Sequence, residues 1–107
     1  MATLHDDLAI LNRLIHEPAR LSILTALATV ENADFVALQR LTGLTAGNLS
    51  SHLSKLEEAA LIQVDKSFVN RRPNTQVAIT PRGRSAIDYH WKQLDSLRRN
   101  ARSWKAD

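Results

Sequence analysis

The sequence predicts one mainly α-helical domain with a small β-hairpin. Three observations carry that prediction. Leucine and isoleucine recur at helical spacing over most of the chain. Two short stretches, "LIQVDKS" and "QVAIT", break that rhythm with strand-like alternation. Glycine and proline number three each, so each one marks a boundary. A length of 107 residues with 44% hydrophobic content suits a single domain over 1–107 with one modest core.

The elements follow in order. Residues 3–15 read as a first helix, with Leu4, Leu8, Leu11 and Ile15 on one apolar stripe. Pro18 interrupts it and suits the first turn of a second helix to about Val30, with Leu21, Ile23, Leu24, Leu27 and Ala28 inward. "ENAD" reads as a turn, and Asp34 as the N-cap of a third helix through Leu41, with Phe35, Leu38 and Leu41 as its core stripe. Gly43 is a candidate left-handed C-cap. Thr45 caps a fourth helix to about Ala60, on which Leu49, Leu53, Leu56 and Ala60 line one face. Ile62, Val64 and Lys66 then alternate in a strand. "FVNRRPNT" reads as a long polar tip, and Val77 and Ile79 share one face of the returning strand. Pro81 opens a last helix to about Trp104.

Composition excludes several function classes. There is no cysteine, hence no disulfide or thiolate metal site, and a reducing, cytoplasmic setting fits. The N-terminus lacks a basic n-region and carries Asp6 and Asp7, unlike a secretory signal. No apolar run is long enough to span a membrane. Asp88 and His90 supply two potential metal ligands, too few for a closed zinc site, so no metal and no cofactor is expected. No nucleophile–base pair or phosphate-cradling glycine loop stands out, which argues against an enzyme.

Charge points elsewhere. Residues 1–47 carry three basic and five acidic side chains, whereas residues 81–107 carry seven and three. The net +3 therefore lies in the C-terminal half, as either a solvated cationic surface or a site for an anionic partner. "GNLSSHLSKLEEAALI" narrows the choice. With its leucines inward, Asn48, Ser51, Ser54 and Lys55 point outward, Ser50 and His52 sit on the flanks, and no acid precedes Glu57. Asparagine can read adenine, serine can bond bases or phosphates, and lysine pairs with phosphate. Two short helices joined by "TGLT" have the form of a helix-turn-helix, here over about 34–60. The hairpin of about 62–80 adds Lys66, Arg71 and Arg72 with no acid after Asp65. Such cations suit phosphates or a minor groove, or simply discourage strand-edge aggregation.

The run "LTGLTAGNLSSHLSKLEEAALIQVDKSFVNRRPNTQVAITPRGRSAI" resembles winged-helix transcriptional regulators of the MarR and ArsR type, closest to the short MarR-like ones. "HEPARLSILTAL" resembles the helix before their helix-turn-helix, and "ITPRGR" stands where such proteins open the last helix with "LTPRGR". The resemblance spans about Ile15 to Tyr89. It implies a winged helix-turn-helix that binds double-stranded DNA, with base-reading positions at Thr45, Asn48, Ser50, Ser51, His52 and Lys55, and wing contacts at Arg71 and Arg72. It also implies a homodimer. The last helix supports that partner: Ile87, His90, Leu94, Leu97, Ala101 and Trp104 form a 3-4-3-4-3 seam, with Trp91 beside it. Leu4, Leu8 and Leu11 could complete the interface between terminal helices at about 3–15 and 81–104. Two alternatives stay open for that helix: it folds back on its own domain, or it lies on a membrane surface. For the whole chain, the alternative is a protein–protein interaction module without sequence-specific DNA binding. An apolar effector pocket fits the architecture, but no polar constellation names a small molecule.

Overall fold

The computed structural model describes residues 13–103. Its order is α1 (Pro18–Leu27), β1 (Ala33–Asp34), α2 (Phe35–Thr42), α3 (Ala46–Glu58), β2 (Ile62–Val69), β3 (Arg72–Ile79) and α4 (Pro81–Ser103). The expected mainly α architecture with a hairpin is present. Residues 13–15 form a turn. The rest of the expected first helix, with Leu4, Leu8 and Leu11, lies outside the described residues, as does Trp104.

Local chemistry sets the helix boundaries. Pro18 occupies the first turn of α1, and the Glu17 carboxylate accepts the Arg20 N–H at 2.9 Å. This helix ends at Leu27, short of Val30. There the Thr29 hydroxyl donates to the Ala26 carbonyl, and the backbone tightens into three-residue turns. Asp34 caps α2 by accepting the Ala37 N–H at 2.7 Å, and Gly43 ends it at φ 73°, where only glycine is unstrained. Thr45 caps α3 through the Asn48 N–H at 3.2 Å.

The sheet corrects two expectations. Its order is β1-β3-β2, antiparallel throughout, so the two-residue segment read as a turn pairs Ala33 with Val77 and Asp34 with Gln76. The hairpin has no long tip. The strands run unbroken to a two-residue turn, Asn70–Arg71, whose φ values of 52° and 66° are both left-handed. Pro73 belongs to β3, opposite Phe68. Counting from the turn, that pair is one that exchanges no backbone hydrogen bonds. Its missing N–H would face outward, beyond the reach of β1.

The core is aliphatic. Ile23, Leu24 and Leu27 from α1 meet Leu38, Leu49 and Leu56, each fully buried. Ile62, Val77 and Ile87 extend this core under the sheet and α4. Leu41 does not join it: this residue is 65% exposed, contrary to the expected stripe. Steps of three residues drift by about 60° on a helix, so a third apolar residue at that interval leaves the face its first member occupies. Ala60 also leaves its expected stripe. Helix α3 closes in a Schellman motif, with Leu61 N–H on the Leu56 carbonyl and Ala60 N–H on the Glu57 carbonyl, and Ala60 takes φ 62°.

That turn builds the seat of α4. Thr80 donates its N–H to the Leu61 carbonyl and its hydroxyl to the Ala60 carbonyl, while its oxygen accepts the Gly83 N–H. Gly83 packs so closely that a Cβ would lie 2.0 Å from the Leu61 carbonyl oxygen. This is the physical content of "TPRG": a cap, a proline in the first turn, and a glycine where backbone meets backbone. Further along α4, Arg84 donates to the Ala28 carbonyl at the end of α1. Ile87 and His90, expected in a seam between copies, are both 1% exposed within the single chain and belong to its own core. Any seam with a second copy therefore starts beyond them.

His90 has a partner that spacing could not reveal. Its Nε2 lies 3.3 Å from His16 Nδ1, and its own Nδ1 has no partner among the described residues. A proton on His90 Nε2 leaves only a lone pair unsatisfied, which is cheaper than a buried orphan N–H. Burial, and secondarily the charge of His16, push the His90 imidazole below its ordinary value of 6.5.

Two outcomes follow from this packing. Gly83→Ala is expected to destabilise the domain by about 1–3 kcal/mol or more, because backbone must move, and thermal unfolding measures it. Because the fold lowers the His90 value below 6.5, its contribution is intact above a pH of about 6.5. It is lost as pH falls toward the lower folded value, because the unfolded chain takes up the proton first. Urea midpoints measured on either side of that pH should converge for His90→Gln relative to the unsubstituted protein.

Candidate nucleic-acid interface

Helix α3 has an inner and an outer face. Leu49 and Leu56 are fully buried and Leu53 is 5% exposed, which fixes the rotation of the helix. Thr45, Asn48, Ser51 and Lys55 are all exposed at its N-terminal end and outer face. Ser50 and Ser54 are exposed on the flank toward the wing, and Ser54 donates to the Ser50 carbonyl at 3.1 Å. With Lys66 and Thr75 of the wing, Leu53 and Val64 beneath, and Phe35 and Glu57 completing the lining, these serines border a cleft between α3 and the hairpin. Six of the seven expected recognition-helix residues thus share one accessible surface.

His52 takes a different place. Its side chain is 20% exposed, and its Nδ1 lies 3.6 Å from a Glu17 oxygen and 3.4 Å from Arg20 Nη1. Arg20 also donates through Nε to the Leu14 carbonyl at 2.6 Å. Burial alone would raise the Glu17 carboxyl. The N–H groups of Arg20 and Ala19, with His52 and the Arg20 guanidinium, outweigh it and hold the carboxyl below its ordinary range. The cluster ties the middle of α3 to the start of α1, and the His52 ring faces that contact, apart from the exposed row of Asn48, Ser51 and Lys55.

The acids of α3 are also arranged. Glu57 turns to the sheet, where its Oε2 accepts the Val64 N–H at 3.2 Å. The first carboxylate on this helix is thereby engaged at the root of the wing. From Lys66 to Ile87 the chain contains no acid but carries Lys66, Arg71, Arg72, Arg82 and Arg84. Lys66, Arg71 and Arg72 are exposed, with Arg71 in the turn and Arg72 opening β3. A phosphate-bearing polymer finds here a small-residue helix surface, a polar cleft and a cationic tip.

Gly47 bears on the same surface. It lies in the first turn of α3, and a Cβ there would meet nothing within 4 Å. Packing within the protein does not require this glycine, which weakens a helix relative to alanine. The residue leaves the helix backbone open to close approach from outside.

The distal half of α4 carries the other expected surface. Leu94 and Leu97 are half-buried, Ala101 is exposed, and Trp91 is 46% exposed. Arg98 and Arg99 both pair with Asp95 in exposed ion pairs of small energetic weight. No group of three metal-ligating side chains occurs among the described residues. No helix among them is long and apolar enough to cross a membrane.

The comparisons agree with this geometry. A family model for the winged helix DNA-binding domain matches residues 19–97. The uncharacterized protein MJ0432 of Methanocaldococcus jannaschii is 33% identical over 88 residues, covering 82% of this chain and 96% of that protein. Among solved structures, a transcriptional regulator homologue from Pyrococcus horikoshii OT3 is similar at TM-score 0.80 and 28% identity, covering 92% of this chain and 95% of that one. The transcriptional repressor CouR, solved bound to a 23-mer DNA duplex, is similar at TM-score 0.73 and 20% identity, covering 92% and 68%. At that identity the likeness is one of fold. MarR-family regulators share the same fold.

Gly47→Ala is expected to stabilise the isolated domain by about 0.5–1 kcal/mol. Thermal or urea unfolding without DNA is the measurement, and a destabilised variant would show that the glycine serves the fold after all.

Proposed function

The chain belongs to the family of winged helix DNA-binding domains, and we propose that it acts as a sequence-specific transcriptional regulator that binds duplex DNA as a homodimer. Regulators of this family and fold are not enzymes. One observation carries the finer reading. Two positions on the proposed DNA face hold residues that the fold itself does not favour. Gly47 sits where alanine would make a better helix, and Arg71 sits at φ 66° where glycine would relieve the turn. Backbone strain kept at a surface tip is a signature of function when the surrounding fold does not need it.

In this reading α3 enters the major groove, with Thr45, Asn48, Ser51 and Lys55 toward bases and phosphates. Ser50, Ser54 and Lys66 line the cleft through which the sugar–phosphate strand passes between helix and wing. Arg71 and Arg72 reach the neighbouring minor groove or its phosphates. The CouR complex supports duplex DNA as the partner, because that repressor has the same fold and was solved bound to a 23-mer duplex. The homodimer is supported by the apolar residues on the distal half of α4, Trp91, Leu94, Leu97 and Ala101, which continue beyond the core. A two-fold pair would set two recognition helices on a pseudo-palindrome.

Salt dependence tests this. Duplex DNA should bind well at about 50 mM salt and weaken steeply as salt rises. Absence of binding there would turn the reading toward a protein-interaction module. For the double variant Arg71→Ala, Arg72→Ala, affinity should fall across all sequences, and the slope of log K against log salt should shrink by about 4, two arginines from each subunit of the dimer. The single change Arg71→Gly should raise the melting temperature while weakening DNA binding. An unchanged slope in both variants would remove the wing from the interface.

A further inference from the structure

Phe68 is the most exposed large apolar residue among the described ones, at 77%. An aromatic side chain in water forgoes the hydrophobic gain of burial, and a hairpin tip needs no such group for solubility. Strand alternation says which way it faces. On β2, Ile62, Val64, Lys66 and Phe68 share one side, opposite Ile79, Val77, Thr75 and Pro73 of β3. The root of that row is buried: Ile62 is 2% exposed and Val77 is fully covered. Its middle, Val64, Lys66 and Thr75, forms the wing wall of the cleft facing Ser50 and Ser54 of α3. Phe68 and Pro73 continue the same row toward the tip, where Pro73 also lines a second cleft with Asp34, Phe35 and Val36. The row therefore passes from core, to polar cleft, to an apolar pair beside the arginines of the turn.

We propose that Phe68, backed by Pro73, is the apolar contact of the wing with DNA, packing against deoxyribose at the mouth of the minor groove. This rests on the DNA-binding reading above. The order of chemistries along the row fits one strand of duplex. The polar cleft takes the phosphates beside the major groove. About 7 Å beyond Lys66, two residues farther along the hairpin, Phe68 meets the sugars on the far side of that strand. Charge complementarity selects a polyanion over an apolar protein partner. Lys66, Arg71 and Arg72 lie within four residues of Phe68 on the hairpin, so the aromatic ring stands among cations that attract phosphate. Apolar side chains that wedge into minor grooves are a general device for gaining contact area there. Val69, next in sequence and 52% exposed, points to the opposite side and has no such role.

The test compares Phe68→Ser, Val69→Ser and the Arg71→Ala, Arg72→Ala double variant. The probe is a fluorescein-labelled, AT-rich duplex of about three helical turns, titrated over a range of salt. Phe68→Ser should bind about tenfold more weakly, with the salt slope unchanged, because a sugar contact releases no counterions. Val69→Ser should bind like the unsubstituted protein, and both should melt at its temperature. If Phe68→Ser binds normally while the unsubstituted protein binds well, the Phe68 contact is wrong and the DNA reading stands. If it lowers the salt slope as the arginine pair does, or Val69→Ser weakens binding equally, the effect is loss of the hairpin and the inference falls. A change in sedimentation of Phe68→Ser without a change in DNA affinity would assign the ring to a second copy of the chain instead. If the unsubstituted protein fails to bind at about 50 mM salt, both readings fall together.

Discussion

The rest of this structure depends on the contact between Gly83 and the Leu61 carbonyl. At that point α4 starts against the last turn of α3 with no side chain between the two backbones. Three hydrogen bonds of Thr80 hold the joint, and the left-handed Ala60 turns the chain so that the Ala60 and Leu61 carbonyls can accept two of them. The consequence is geometric. Recognition helix, hairpin and long terminal helix all meet within a few residues of one another. Ile62, Val77 and Ile87 can then share a core with the leucines of α1 and α3. A helix seated an ångström or two farther out would leave those apolar side chains without close neighbours, and close packing is what their burial requires.

Around this rigid joint the proposed DNA face is built from residues that contribute little to it. Gly47 meets open space, Arg71 holds a left-handed conformation, and Phe68 faces solvent. Ala60 shows the contrast. It is also left-handed, yet Schellman hydrogen bonds and the Thr80 hydroxyl surround it, so its strain belongs to the fold. Arg71 lies in a two-residue turn where glycine would serve the strands better. Stability and binding are thus separated in space, which lets the same small domain keep a well-packed interior and an unoptimised surface.

Two consecutive residues connect the ends of this arrangement. His16 contacts His90 on α4, and Glu17, which caps α1, lies against His52 on α3. A single short turn therefore touches both the terminal helix and the recognition helix. The histidines themselves are visible in the sequence, but their roles are not. His16 and His90 are 74 positions apart, and Arg20 and His52 are 32 apart, so no periodicity links them. His52 lies in the middle of a helix rich in DNA-compatible side chains, and only the rotation set by Leu49, Leu53 and Leu56 turns it toward Glu17.

What the sequence determined by itself was whatever depends on near neighbours along the chain. Asp34 and Thr45 cap helices because their oxygens reach an N–H three residues on, and Gly43 ends one because its own φ allows it. The leucine spacing of α3 likewise sets which of its residues face outward, and these include most of the candidate site. Tertiary structure decided the rest. Only β3 could convert Ala33 and Asp34 into a strand, and only the placement of helices beneath the sheet could bury Ile87 and His90 while leaving Leu41 and Phe68 in solvent. Burial and pairing depend on groups that are distant in sequence and adjacent in space. Caps and periodicity act within a turn or two, and that difference in range separates what could be read from what had to be seen.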